Sequence, residues 1–167
     1  AGGRLFDGVT DPLVAYFSDK SKSKLGRRIP FMRWGVFPSF LFLVLIFIPL
    51  SGEPGTQNVV WLAITNLLFF LSITLYIVPY NALLPELGTT PEAKIRLSTV
   101  LGVAYVLGIV MSSSTPTVAE IYQRMFGIQS YREALQWSIG TWSVFAFIAM
   151  ALPAFFLNEK KYIIAKP

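Results

Sequence analysis

The sequence predicts an all-α membrane protein, and three observations carry that prediction. Of its 167 residues 54% are hydrophobic and only 14% charged, its mean hydropathy is +0.58, and its charges are bunched. A typical soluble domain is about one-quarter charged. No Asp, Glu, Lys or Arg falls between Glu53 and Glu86, between Arg96 and Glu120, or between Glu133 and Glu159. Each gap exceeds the roughly 20 residues that a helix rising about 1.5 Å per residue needs to cross a hydrocarbon core about 30 Å thick. A fourth apolar run, Trp34 to Leu50, is shorter but long enough if its flanks snorkel. The alternative is a soluble protein whose core helices are apolar all round, and too few charges are available here to cover several of those.

The spans follow in order. The first, residues 1–18, is apolar but carries Arg4, Asp7 and Asp11 and is too short to cross alone, so it is expected to be the end of a membrane helix. Ala1 already sits close to helical membrane sequence with no secretory leader before it, so the start is expected to be a cut. A basic loop, 19–33, follows, with Gly26 and Pro30 stopping one helix and restarting the next. The second span is expected at 31–50, kinked at Pro38, and residues 51–55 form a turn without Lys or Arg. The third is expected at 58–81, interrupted near Pro79. In the loop 85–96, Thr90, Pro91 and Glu92 read as the start of a short interfacial helix. The fourth span is expected at 97–119, and a polar stretch, 120–133, leads to the fifth at 134–157. No internal repeat and no low-complexity segment is visible.

Lys and Arg fall unevenly on alternate sides, eleven against two. Lys20, Lys22, Lys24, Arg27, Arg28 and Arg33 crowd the 19–33 loop alone. Between two apolar spans such a run reads as a cytoplasmic loop and not as a nucleic-acid patch, so this loop and the C-terminal tail are expected on the cytoplasmic side. Cysteine and histidine are both absent, which removes disulfides, thiolate metal sites and His-based catalysis from this segment. No enzyme activity and no organic cofactor are expected.

Arg4, Asp7 and Asp11 are spaced i, i+3 and i+7, which puts them on one helix face. Ionisable residues inside a membrane are costly and by default functional. Two carboxylates and one guanidinium leave a formal charge of −1, which one monovalent cation neutralises. Pro12 has no N–H, so the carbonyl of Gly8 loses its donor beside the carboxylates. With the hydroxyl of Thr10 these make a hard-oxygen set suited to Na⁺. With the cation gone, two neighbouring carboxylates in a low dielectric cannot both stay ionised cheaply, so H⁺ is an equally available coupling ion. The same spacing also serves an Arg4–Asp7 ion pair that only holds helices together.

The stretch Arg4-Leu-Phe-Asp7-Gly-Val-Thr10-Asp11-Pro12, continuing through Ser18-Asp19 to Gly26-Arg27-Arg28-Ile-Pro30-Phe31, closely resembles the glycoside-pentoside-hexuronide:cation symporters of the major facilitator superfamily, which include the melibiose permease. A second stretch, Pro79-Tyr80-Asn81-Ala82-Leu83-Leu84-Pro85-Glu86, is similar to that family's fourth-helix element. The resemblance covers essentially the whole chain and implies a fragment from the end of helix 2 through helix 6, in the N-terminal half of a twelve-helix protein. It implies a cation site at Asp7, Asp11 and Thr74 with Arg4 balancing charge. It also implies a gating loop at Asp19, Gly26, Arg27 and Arg28 that latches the cytoplasmic side. The implied partners are a small-molecule substrate, a monovalent cation, the bilayer (a bacterial inner membrane) and the remaining helices, without which the segment is not expected to work.

The departures bear on cargo. Sugar transporters of the melibiose type place an aspartate on helix 4 where this sequence has Ile77, follow the proline with an aromatic pair where Tyr80 is followed by Asn81, and carry a helix-5 arginine where nothing basic occurs between Arg96 and Arg124. Tyr80 and Asn81 are the residues expected to touch the substrate path. Cation-coupled symport of a sugar or related small solute by alternating access is therefore set against cation-coupled transport of an amphipathic lipid. A membrane enzyme or non-transporting subunit is the reading from another class, and the segment lacks the acid, His or Cys clusters an enzyme would show.

Overall fold

The computed structural model describes the backbone of residues 2–23 and 25–159 and the side chains of residues 8–23 and 25–159. Six helices follow one another: α1 (Gly2–Lys20), α2 (Ile29–Ile46), α3 (Thr56–Leu87), α4 (Pro91–Ser113), α5 (Thr115–Phe126) and α6 (Tyr131–Phe156). No strand occurs among the described residues. Four of the helices, α2, α3, α4 and α6, are long and apolar enough to cross a membrane. Large apolar side chains such as Trp34 and Tyr105 face outward, as they do when the solvent is lipid.

The bundle is organised around α2, which packs against α3 on one side and α6 on the other, while α1 lies on α3 and α5 on α6. Its core joins Ile29, Met32 and Val36 of α2 to Tyr76 and Leu83 of α3 and Ala154 of α6. Gly35 sets the α2–α3 approach: a Cβ there would lie 2.8 Å from the backbone nitrogen of Tyr76. The other helices leave α4 nearly alone, and none of its residues is buried.

Three expectations from the sequence are corrected by the helix bounds. The third span is not interrupted near Pro79 and does not end at residue 81. It runs 32 residues to Leu87 with Pro79 and Pro85 inside, about 48 Å at 1.5 Å per residue and so longer than the hydrocarbon core is thick. Each proline removes one intrahelical bond, which a helix buried among neighbours tolerates; Arg28 adds a tie to the helix's last turns by donating to the Ala82 carbonyl at 2.6 Å.

The separate interfacial helix expected at Thr90 is the beginning of the fourth span itself. Thr90 caps it, its Oγ1 accepting from the Ala93 N–H at 3.2 Å, with Pro91 at the first helical position. That span then stops at Ser113 and does not continue to Ala119. Pro116 cannot donate to Ser112, and the hydroxyls of Ser114 and Thr115 bond back to the carbonyls of Met111 and Ser112 at 2.7 and 2.8 Å. The chain restarts as α5, which takes in the first part of the expected polar stretch and ends at Gly127, whose φ of 66° is left-handed.

Candidate functional site

Of the cluster expected on the first span, the backbone lies in one continuous helix through Pro12, so the i, i+3, i+7 spacing holds along α1. The side chains of Arg4 and Asp7 lie outside the described residues. Asp11 is exposed, and Thr10 beside it is buried. Among the described residues nothing lies within 4 Å of where a Cβ on Gly8 would stand. Thr74 is buried on α3, the helix against which α1 packs. Register puts Thr74, Ile77 and Asn81 along one side of α3, with Ile77 and Asn81 both exposed. Tyr80 is half-buried and its ring stacks on Tyr76 at 5.7 Å, while the Tyr76 hydroxyl donates to the Met150 carbonyl of α6 at 3.0 Å. Tyr80 is thereby held through Tyr76 to a third helix.

The charged loop folds into a compact joint at one end of the bundle. Gly26 adopts φ 117°, a conformation that favours glycine, and turns the chain into α2. Arg28 is 7% exposed. Its guanidinium lies 3.3 Å from Asp19 at the end of α1 and 3.0 Å from Glu86 at the end of α3. Arg27 reaches the other oxygen of Glu86 at 3.5 Å, but from a half-exposed position. Exposed pairs contribute about 0–1 kcal/mol, whereas the Arg28 guanidinium is itself buried against part-exposed partners and also donates to the Ala82 carbonyl. Arg28 is therefore the member that holds the joint.

Two acids that sequence reasoning assigned no role complete this arrangement. Glu86 is the shared partner of both arginines. Glu159, which follows α6 and is 1% exposed, turns its Oε2 onto the first N–H groups of α2, accepting from Arg28 at 2.9 Å and Ile29 at 3.3 Å. These N–H groups have no partner within α2, and a carboxylate there also complements the helix dipole. A Cβ on Gly26 would lie 2.3 Å from that same Oε2, so the glycine also makes room for the carboxylate. The signal for both acids was in the sequence: each is a solitary acid bounding a long charge-free run, on the side where the basic loop lies.

A helical bundle with four membrane-length spans among the described residues and a charged joint at one end is that of a polytopic membrane protein. More particularly, the chain belongs to the MFS/sugar transport protein family, whose model matches residues 1–167, and it is an integral membrane protein of the cation-symporter branch of the major facilitator superfamily. It is similar to the sodium-dependent lysophosphatidylcholine symporter 1 of Xenopus tropicalis, with 33% identity over 71% of this chain and 25% of the relative. It is also similar to the glucuronide carrier protein homolog of Escherichia coli, with 28% identity over 60% of this chain and 22% of the relative. A third relative is the isoprimeverose transporter of Lactiplantibacillus pentosus, 27% identical over 89% of this chain and 30% of the relative. The chain thus spans between about a fifth and a third of the length of the curated relatives it matches.

Proposed function

We propose that the protein containing these residues is a secondary active transporter that couples a monovalent cation, Na⁺ or H⁺, to the movement of a small solute. In this reading Asp7 and Asp11, with the hydroxyls of Thr10 and Thr74, hold the cation, and Arg4 balances the second carboxylate. Asp19, Gly26, Arg27 and Arg28 form the gating joint, with that loop and the tail on the cytoplasmic side, in a bacterial inner membrane. Tyr80 and Asn81 line the substrate path. The remaining helices of the same protein supply the facing wall, and the two halves alternate around the site.

The observation that carries the reading is the exposed carboxylate of Asp11 on a helix packed against the membrane-length α3, where Thr74 is buried. A carboxylate in such a place faces a cavity or a partner, because lipid does not solvate it. Its oxygen chemistry suits a hard cation. No catalytic role is assigned to any residue.

The cargo has two readings. A sugar or related small polar solute is supported by the relatives named for glucuronide, glycoside and isoprimeverose. An amphipathic lipid is supported by as many relatives named for lysophosphatidylcholine and by Ile77, an exposed apolar side chain on the same side of α3 as Thr74 and Asn81. Thermal stabilisation of the full-length protein, measured with a panel of mono- and disaccharides and of lysolipids in the presence of Na⁺, separates them. Stabilisation by sugars alone supports the first, and by lysolipids alone the second.

A further inference from the structure

We propose that Arg33 seats the phosphate of an anionic phospholipid, in the leaflet that meets the basic loop, with an acyl chain of that lipid lying along Phe37 and Leu41. This site is independent of which cation or cargo the protein carries. Arg33 lies in the second turn of α2, and α6 holds its guanidinium in place. Nε donates to the Ala154 carbonyl at 2.9 Å and Nη2 to the Phe155 carbonyl at 3.4 Å, and the group sits over the Phe155 ring, 4.9 Å from its centre. A guanidinium carries five N–H donors in a planar fork. Two are used by α6, and no other described residue takes the rest. The fork is thus fixed before any ligand arrives, and a fixed fork meets phosphate oxygens at little further cost in side-chain freedom.

The missing counter-charge identifies the ligand. Arg27 and Arg28 meet Glu86 and Asp19, and the Glu159 carboxylate is turned onto the start of α2. No Asp or Glu among the described residues forms an ion pair with Arg33, and residues 160–167 contain neither. A half-buried cation lying on an aromatic ring at the membrane boundary is costly without an anion beside it. The lipid phosphates at that depth supply one. The same lack of a carboxylate selects among lipids: a zwitterionic headgroup brings an ammonium with no acceptor of opposite charge at Arg33, whereas an anionic headgroup brings the phosphate charge alone.

The surface next to Arg33 suits the rest of that molecule. Phe37 and Leu41 lie one and two turns deeper on the same stripe of α2 and are 56% and 52% exposed. Phe37 packs across the seam with α6 on Phe147 and Phe155, with ring centres 5.5 and 6.1 Å away. Trp34, 77% exposed, stands beside Arg33 as an anchor at the level of the headgroups. A fixed cation followed inward by an exposed apolar stripe matches the head and tail of one phospholipid.

The test uses the full-length protein purified in a mild detergent, with native mass spectrometry and thermal unfolding following the binding of phosphatidylglycerol, phosphatidylethanolamine and inorganic phosphate. Phosphatidylglycerol is expected to bind and raise Tm, and the other two to do neither at the same concentration. Arg33→Gln keeps an amide donor for the Ala154 carbonyl and removes the charge. It should weaken phosphatidylglycerol binding about tenfold, as loss of one charge-assisted contact does, whereas Arg27→Gln at the same end of the bundle should leave binding unchanged. In the unaltered protein, phosphatidylglycerol carrying a diazirine near the headgroup end of an acyl chain should label residues 33–41 or 150–157 on irradiation, a readout that stands even if Arg33→Gln does not fold. The proposal is overturned if Arg33→Gln binds as the unaltered protein does, or if Arg27→Gln weakens binding equally, which makes the attraction diffuse. Equal binding of phosphatidylethanolamine, stabilisation by inorganic phosphate alone, or labelling confined to other segments overturns it as well.

Discussion

Glu159 and Arg28 are joined backbone to side chain: Oε2 of Glu159 accepts the Arg28 N–H at 2.9 Å, so the residue that follows α6 caps the helix that begins α2. The same Arg28 sends its guanidinium to Asp19 and Glu86. One residue therefore ties together the ends of α1, α3 and α6.

Removing the cap should cost a cap's worth of stability. Glu159→Ala leaves two buried N–H groups unpaired, a loss of about 1–2 kcal/mol. A lowered Tm of the purified full-length protein is expected, with Glu159→Gln falling between Ala and the unaltered protein because one amide oxygen still accepts.

The two arginines of the joint should differ. Arg28→Ala is expected to destabilise by about 1–3 kcal/mol because it removes a buried guanidinium that donates to the Ala82 carbonyl and to Asp19, whereas Arg27→Ala should cost about 0–1 kcal/mol. Thermal unfolding of the two variants side by side checks this, and equal losses would show that burial is not what sets them apart.

Gly26→Ala is expected to be worse than its one added methyl suggests. The position has φ 117°, and the new Cβ would run into Glu159 Oε2. Strain of about 1–3 kcal/mol should then be joined by loss of the Glu159 cap. Combining Gly26→Ala with Glu159→Ala should cost less than the sum of the two, since the second change removes the carboxylate that the first displaces.

At Gly35 the obstacle is backbone, which cannot step aside. A Cβ there meets the Tyr76 nitrogen at 2.8 Å and the Ser72 carbonyl oxygen at 2.9 Å, so Gly35→Val should separate α2 from α3. Reduced yield of folded protein by fluorescence-detected gel filtration is the expected result, with Gly8→Ala, at an open position, as the tolerated comparison.

Much of the architecture was legible because the membrane imposes length and charge rules directly on sequence. The charge-free runs ending at Glu86 and Glu159 marked α3 and α6 to within a few residues at their starts. Proline was the ambiguous signal. Pro79 stays inside α3 while Pro116 begins α5, and the local rule is the same for both. Around Pro116, three serines and a threonine offered the backbone other partners within the segment. The end of α3 beyond Pro79 is instead tied down by Arg28, which reaches the Ala82 carbonyl from 54 residues away, a contact that no local pattern contains.

The candidate site was legible in part for the same reason. Asp11 and Thr10 announce themselves as polar groups in an apolar helix, and Asp19, Gly26 and Arg28 as a motif with fixed spacing. Glu159 lies 131 residues from the N–H it caps, and its role exists only once α6 returns to α2.

The central claim is that the carboxylates of α1 couple a cation to transport. Its most direct measurement is cation-stimulated solute uptake into vesicles by full-length protein carrying Asp11→Asn, with membrane insertion monitored in parallel. The account predicts that stimulation by both Na⁺ and a proton gradient is abolished while the amount of inserted protein is unchanged. Full cation dependence surviving in the variant would contradict it.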